Sequence, residues 1–86
     1  MRIRRTARFK KAWNLLTEAD KGLGRKAIAK LLTNPHYPSL RVKKMQGVQG
    51  IWEARASLSM RLTFEIVGDL IVLHNIGRHD QTLKNP

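Results

Sequence analysis

The stretch WEARASLSMRLTFEIVGDLIVLHNI, residues 52–76, carries the strongest structural signal in the chain. Apolar and polar residues alternate in residues 52–58 and again in residues 60–67, as in strands that pack one face on a core and expose the other. Gly68-Asp69 predicts a two-residue hairpin turn. The run LIVLHNI that follows is apolar on both faces, which indicates a strand in the middle of a sheet. The second half of the chain is therefore predicted to form an antiparallel sheet.

The first half of the chain has helical periodicity. Residues 2–5 predict a short strand, and Thr6 is the predicted N-cap of the helix after it. Two helices are predicted, with a break at DKGLG, residues 20–24, and an end at Asn34-Pro35. Their apolar residues are Phe9, Ala12, Trp13 and Leu16 in the first helix and Leu23, Ala27, Ile28, Leu31 and Leu32 in the second. Two short helices joined in this way form an αα-hairpin.

These elements predict a single α+β domain that covers residues 1–86. A proline-containing connection, residues 34–39, leads to a first alternating strand at residues 40–45, and a turn at residues 46–50 follows it. We expect a short N-terminal strand and a two-helix hairpin packed on one face of a twisted antiparallel sheet. A chain of this length has room for one core and not for two.

The composition is strongly basic. The chain has 17 lysines and arginines against six acidic residues, which gives a net charge of +11 on 9.9 kDa. Such an excess repels itself unless a polyanion or an acidic partner neutralises it, so nucleic acid is the expected partner. The alternative is a basic surface kept for solubility, although acidic residues serve that purpose better. The absence of cysteine excludes disulfides and thiolate zinc sites and fits a cytoplasmic location, and no apolar run is long enough for a membrane span.

The polar side of the predicted strands is a candidate nucleic-acid surface. If the helices cover the even-numbered residues, the odd-numbered residues of neighbouring strands lie together on the other face, within side-chain reach of one another. This face would present Arg41, Lys43, Glu53, Arg55, Arg61, Thr63 and Glu65. Each basic residue alone fits an ordinary solvated surface, but four bases with only two acids on one face favour an anionic ligand.

The last predicted strand is followed by Arg78, His79 and Asp80. Histidine titrates near neutrality, at a pKa of roughly 6.5, so one imidazole can both accept and donate a proton in a reaction cycle. Arginine stays charged and binds phosphate with its planar fork, and Asp80 could orient the imidazole. These residues are expected to join a rigid strand end to a mobile tail, where functional groups often lie. The alternative is a salt-bridged surface turn. His74 is expected to be a hydrogen-bonded core residue, and the spacing of the three histidines predicts no metal site.

Three segments in order resemble the RelE/ParE superfamily of bacterial type II toxins. They are NPHYPSLRVKKMQG (34–47), GIWEARASLSMRLTFEI (50–66), with Met60-Arg61 where the family has Tyr-Arg, and GDLIVLHNIGRHD (68–80). With the helices before them, the resemblance extends over essentially the whole chain. It implies a RelE-like fold and a cognate antitoxin that is acid-rich and encoded next to the toxin. In the RelE branch it also implies cleavage of ribosome-bound mRNA without a metal or other cofactor.

The resemblance also implies roles for individual residues. In the RelE branch the ribose 2′-OH attacks its own 3′-phosphate, and the toxin supplies a base, an acid and positive charge. His79 matches by position the histidine or arginine near the C-terminus of several such toxins, and Arg61 matches the arginine of their Tyr-Arg strand. By the same resemblance, Arg55, Lys43 and Lys44 fall among the basic residues that grip the RNA. Together with the polar face and the residues after the last strand, this gives two sets of candidates. The catalytic candidates are His79, Arg61, Arg55 and Glu53, and the RNA-binding candidates are Arg41, Lys43, Lys44 and Arg78.

One departure from the family leaves alternatives open. Many of these toxins have a tyrosine a few residues after the last strand, and QTLKNP, residues 81–86, has none. His79 would then carry more of the proton transfer, with Glu53 as its partner. The ParE branch shares the fold but inhibits DNA gyrase without cleaving RNA, and a plain nucleic-acid-binding module or an inactive relative retained for autoregulation are further interpretations. The ending IGRHD favours the ribonuclease.

Overall fold

The computed structural model describes residues 1–86, and its helices and strands follow the predicted order with one addition. The elements are β1 (Arg2–Arg5), α1 (Ala7–Asn14), α2 (Glu18–Thr33), β2 (Lys43–Lys44), β3 (Trp52–Arg55), β4 (Met60–Val67), β5 (Leu70–Arg78) and α3 (His79–Lys84). A single 3₁₀ turn, Pro38–Leu40, lies between α2 and β2. The addition is α3, which occupies the segment predicted to be a mobile tail. None of these helices combines the length and the apolar composition that crossing a bilayer requires.

The five strands form one sheet in the order β1-β5-β4-β3-β2. β5 has a strand on each side, which confirms its predicted place inside the sheet. Strands β2 to β5 pair antiparallel, whereas β1 runs parallel to β5, with Arg2 opposite Leu70 and Arg5 opposite Leu73. The predicted α+β fold class and the antiparallel pairing of the strands in the second half of the chain are therefore confirmed. The parallel pairing of β1, which makes the sheet mixed, was not predicted.

α1 and α2 cover one face of the sheet and form the hydrophobic core with it. The buried apolar side chains are Phe9, Ala27, Ile28 and Leu31 from the helices, Leu40 from the 3₁₀ turn, and Ala54, Met60, Leu62, Phe64, Ile71, Leu73 and Ile76 from the sheet. The even-numbered residues of β3 and β4 supply this face, as the alternation predicts. Full burial of one large apolar side chain contributes roughly 1.5–3 kcal/mol, so packing stabilises a small domain that has no disulfide.

The break between the helices comes before Thr17, and the break predicted at residues 20–24 is wrong. Thr17 caps α2, because its hydroxyl accepts a hydrogen bond from the Asp20 N–H at 3.1 Å. Gly24 is buried inside α2, where a Cβ atom would lie 2.7 Å from Cζ3 of Trp13. This glycine therefore permits close contact between α1 and α2 and does not end a helix.

The two glycines of α2 should respond in opposite directions to alanine. Gly22 has nothing within 4 Å of its Cβ position, so Gly22→Ala should raise the free energy of unfolding by about 0.5–1 kcal/mol through helix propensity. Gly24→Ala would press a methyl group into the Trp13 ring and should lower that free energy by about 1–3 kcal/mol. Urea denaturation of both variants measures the difference. Equal effects would show that the Trp13 ring moves aside freely.

Two predicted strands are shorter in the structure. The first alternating strand is reduced to β2, because Leu40 ends the 3₁₀ turn and Arg41 adopts the left-handed conformation, with φ of 47°. The strand predicted at residues 52–58 ends at Arg55, and residues 56–59 form the turn to β4. This turn carries hydrogen bonds that bear on the candidate site.

An irregularity in β5 changes the position of His74. The ladder between β4 and β5 skips His74 at the step from Thr63 to Phe64, which is the pattern of a β-bulge. The imidazole is only partly buried, and its Nε2 lies 2.5 Å from Oε1 of Glu65. His74 is therefore hydrogen-bonded as expected, but the prediction that it lies in the core is wrong.

Candidate functional site

Neighbouring strands bring four predicted site residues into two adjacent rows on the polar face. Arg55 of β3 lies opposite Arg61 of β4, and Glu53 lies between Lys43 of β2 and Thr63 of β4. Directly opposed residues of adjacent strands have Cβ atoms about 4.5–5.5 Å apart. The two arginines are therefore close enough to bind one anion together.

Arg61 is tightly held within this surface. Its Nη1 group donates hydrogen bonds to the carbonyl oxygens of Ser57 at 2.9 Å, Leu58 at 3.4 Å and Met60 at 3.1 Å. The pKa of Arg61 lies below its usual value, chiefly because partial burial desolvates the guanidinium and then because the charge of Arg55 repels it. The guanidinium is thus fixed in place by neutral acceptors that do not balance its charge.

The surrounding charges leave Arg61 only weakly compensated. Arg41 adds to the repulsion, and the carboxylate of Glu53 opposes it. Glu53 is buried and already lies 3.6 Å from the ammonium group of Lys43. This carboxylate is shared with another cation, so it offsets the repulsion between Arg55 and Arg61 only in part. An anion bound between the two arginines would remove the remaining repulsion. That is the electrostatic property expected of a phosphate site.

His79 is the first residue of α3 and is anchored through its backbone. Its N–H donates to the carbonyl oxygen of Ser59 at 2.9 Å, and its Nδ1 lies 3.1 Å from Oδ1 of Asp80. The imidazole side chain is 50% exposed, so a substrate can reach it. Gly77 lies opposite Arg61 in the ladder, and His79 is two residues further along the chain. The backbone of His79 therefore lies roughly 7 Å beyond the row of Arg55 and Arg61, measured along the strand direction.

The C-terminal residues cover the middle of the polar face. The Thr63 hydroxyl donates to the Pro86 carbonyl at 2.9 Å, and the Asn75 amide donates to the Asn85 carbonyl at 2.8 Å. Thr63 is fully buried, and Glu65 lies beyond it on β4. These contacts divide the surface that the sequence predicts. The basic residues that remain together on the open part are Arg41, Lys43, Arg55 and Arg61, with the buried Glu53 between them.

Two predicted RNA-binding residues lie apart from this open surface. Lys44 is opposite Trp52 in the ladder, and its ammonium lies 5.4 Å from the centre of that ring. Arg78 is opposite the buried Met60 and lines a cleft of about 680 Å³ between α1 and α3. Its Nη1 group donates a hydrogen bond to the Ser59 hydroxyl at 3.3 Å. Cross-strand partners share a face of the sheet, so both side chains begin on the side of the helices.

Few groups at this surface can transfer protons. No three metal-ligating side chains lie together anywhere in the structure. The single tyrosine, Tyr37, packs under the ammonium of Lys30, which lies 5.1 Å from the ring centre. Proton transfer at the candidate site would therefore fall to His79 and Glu53, with Asp80 beside the imidazole.

The turn at residues 56–59 supplies contacts that were not predicted. Its carbonyl groups hold Arg61, and Ser59 bonds to both Arg78 and His79. Backbone carbonyl acceptors cannot be recognised from the order of side chains in the sequence. The only available signal was the SLS sequence at residues 57–59, because serine is common in turns.

The comparisons with known proteins support the fold. No protein-family model and no curated protein sequence matches the chain. YafQ from E. coli strain BL21(DE3) superimposes with a TM-score of 0.80 at 17% identity, over 94% of this chain and 97% of that one. The YoeB/ParE toxin from Agrobacterium tumefaciens gives 0.78 at 15% identity, over 92% and 99%. A chain of the intact E. coli RelBE toxin-antitoxin complex gives 0.71 at 16% identity, over 90% and 94%. The chain therefore has the RelE-like fold of these toxins, and the resemblance to the RelE/ParE superfamily is confirmed at the level of the fold.

Proposed function

We propose that this protein is the toxin of a type II toxin-antitoxin module and acts as a metal-independent endoribonuclease that cleaves mRNA and so inhibits translation. The observation that carries the proposal is the Arg55–Arg61 pair, whose repulsion a bound phosphate would relieve. His79, anchored just beyond that row, adds a group that can accept and donate a proton. The likeness to YafQ and to the RelBE complex supports the toxin assignment through the fold.

In the proposed reaction the RNA supplies its own nucleophile. The 2′-oxygen forms a bond to the adjacent phosphorus, and the bond from phosphorus to the 5′-oxygen breaks. The products are a 2′,3′-cyclic phosphate and a 5′-hydroxyl. Glu53 accepts the proton of the 2′-hydroxyl, and His79 donates a proton to the departing 5′-oxygen. Arg55 and Arg61 bind the phosphate oxygens and stabilise the charge that develops on them.

The remaining predicted cations would bind the RNA on either side of the scissile phosphate. Lys43 lies beside Glu53, and the charge of Arg41 acts on Arg61. We therefore expect Arg41 and Lys43 to contact neighbouring phosphates of a single strand. Lys44 and Arg78 begin on the other side of the sheet and would reach RNA only where it passes around the sheet. We therefore expect the first two residues to contribute more to RNA affinity than the last two.

Induced expression followed by mapping of transcript ends tests the proposal. We expect growth arrest and new 5′-hydroxyl ends inside coding regions, because the proposed chemistry leaves that group. If the substrate is ribosome-bound mRNA, blocking translation initiation should abolish these ends. Intact transcripts with a DNA-damage response would instead support a ParE-like gyrase inhibitor, a second candidate favoured by the missing C-terminal tyrosine. Intact transcripts with salt-sensitive nucleic-acid binding would indicate a plain binding module.

The proposed partner is an acid-rich antitoxin that neutralises the toxin in the cytoplasm. A groove of about 670 Å³ between α1 and α2 has an apolar floor that includes Trp13 and Ile28, and Arg5, Lys10 and Arg25 lie at its rim. This combination fits an amphipathic helix with acidic residues beside its apolar face. A neighbouring reading frame that encodes a short acidic chain and suppresses the arrest on coexpression would support this partner. Its absence would favour a stand-alone binding protein.

A further inference from the structure

The turn between β3 and β4, residues 56–59, contacts both halves of the candidate site. The carbonyl oxygens of Ser57 and Leu58 accept hydrogen bonds from Nη1 of Arg61 at 2.9 and 3.4 Å. At its other end, the carbonyl oxygen of Ser59 accepts the N–H of His79 at 2.9 Å. One short turn is therefore bonded to a phosphate-binding candidate from β4 and to the proton-transfer candidate at the start of α3.

Internal hydrogen bonds make this turn a rigid support. The N–H groups of Ala56 and Ser57 both donate to the carbonyl oxygen of Met60, at 3.0 and 3.2 Å. The N–H of Met60 donates back to the carbonyl oxygen of Ser57 at 3.3 Å. Because these bonds close the turn on itself, the acceptors that face Arg61 and His79 have fixed positions.

Ser59 connects the turn to the end of β5 and the start of α3. α3 has no side-chain N-cap, so the N–H groups of its first turn lack the usual capping acceptor. The carbonyl oxygen of Ser59 supplies an acceptor for the first of them, at His79. The Ser59 hydroxyl accepts a second hydrogen bond from Nη1 of Arg78 at 3.3 Å. Two consecutive residues are thereby tied to one serine.

We propose that the turn at residues 56–59 sets the distance between the Arg61 guanidinium and the His79 imidazole, and that Ser59 is a positioning residue of the site. The inference rests on the proposed ribonuclease function, since this distance matters only if both groups act on one phosphate. Ser59 touches no reacting atom and acts through Arg78 and the backbone of His79. A displacement of about 1 Å between reacting groups can cost roughly 10²-fold in rate, so a modest change in the turn has a large effect.

A double-mutant cycle in single-turnover cleavage tests the role of Ser59. Ser59→Ala keeps the carbonyl contact and removes the hydroxyl contact to Arg78, so the cleavage rate should fall about tenfold while RNA affinity stays within about twofold. Ser59→Thr retains a hydroxyl group and should restore the rate. In an Arg78→Ala background, Ser59→Ala should cause no further loss. The matched control is Thr33→Ala, which removes an exposed hydroxyl at the end of α2 and should leave the rate unchanged.

A change in turn length tests the support as a whole. One glycine inserted between Leu58 and Ser59 would displace His79 relative to Arg61 and should lower the rate by about 100-fold or more. The same insertion between Val48 and Gln49, in the turn that precedes β3, serves as the control and should leave the rate near that of the wild type.

The outcomes separate this inference from the function on which it rests. A wild-type rate in Ser59→Ala, or additive losses in the cycle, would overturn the positioning role and leave the ribonuclease proposal standing. If the wild-type protein cleaves no RNA, the proposed function fails, and NMR order parameters of the arginine Nε–H groups decide the inference. Those of Arg78 must then fall in Ser59→Ala, and those of Arg61 must fall in the insertion variant. Unchanged values would overturn the positioning role in that case as well.

Discussion

His79→Ala should lower the rate of RNA cleavage by about 10²–10⁴-fold and abolish growth arrest, because it removes the proposed acid. The other two histidines are elsewhere, with His74 bound to a carboxylate of β4 and His36 in the loop after α2. The fold should survive the change. The imidazole is half exposed and its hydrogen bond is to Asp80, whereas the N–H that bonds to Ser59 is also present in alanine.

The measurement is single-turnover cleavage of a labelled RNA between about pH 5 and pH 9. The wild-type rate should depend on pH, because the proposed acid must carry a proton in order to donate it, and the residual rate of His79→Ala should lose that dependence. His36→Ala is the matched control, since it also removes one exposed histidine and should keep the wild-type rate and pH profile. Wild-type cleavage by His79→Ala would contradict the assigned role. Loss of antitoxin binding in the same variant would mean that the fold had changed.

The parts of the fold that sequence could predict are those with a local pattern. Side chains of a strand alternate between the two faces of the sheet. The sequence alone therefore assigns Ala54 and Leu62 to the core and Arg55 and Arg61 to the opposite face. Gly24 was misassigned because the cost of glycine in a helix is local, whereas its contact with Trp13 joins two helices. The parallel pairing of β1 with β5 likewise joins opposite ends of the chain, and no local pattern specifies it.

α3 could not be predicted for a similar reason. Its sequence, HDQTLK, shows no stripe of apolar residues, and a helix this short has little stability of its own. Contacts with distant residues hold the segment in place. Ser59 bonds to His79 at the start of the helix, and Thr63 and Asn75 bond to the two residues that follow it. The position of the segment after the last strand suggested a mobile tail, but tertiary hydrogen bonds hold it as a helix.

The sequence predicted part of the candidate site. The alternation of side chains along a strand explains why some of the predicted residues share a face of the sheet and others do not. Lys43 and Lys44 are consecutive on β2, so only one of them can share a face with Glu53, and the structure places Lys43 there. The basic residues of the later strands do converge with Arg41, as their alternation indicates. What sequence could not supply is the support beneath them, because the acceptors that hold Arg61 are backbone carbonyl groups whose positions depend on the shape of a turn.

Arg61→Ala should lower the cleavage rate by about 10²–10³-fold while leaving the stability of the fold almost unchanged. The rate falls because the variant loses one of the two guanidiniums that oppose the charge developing on the phosphate. Stability is retained because the carbonyl groups of Ser57 and Met60 keep their backbone donors, so no buried acceptor loses its last partner. Burial and the charge of Arg55 together lower the pKa of Arg61, and alanine removes both unfavourable effects.

Arg61→Lys separates charge from geometry at the same position. Lysine keeps the positive charge but cannot bind a phosphate with a planar fork, so we expect an intermediate rate, roughly tenfold below the wild type. The measurements are single-turnover cleavage and urea denaturation, with Arg4→Ala on the opposite edge of the sheet as the control for loss of one charge. Lost stability with an unchanged rate in Arg61→Ala would identify Arg61 as a structural residue. Lost rate with unchanged stability is the outcome that a phosphate-binding arginine requires, because a site built for an anion holds its cations against their own repulsion.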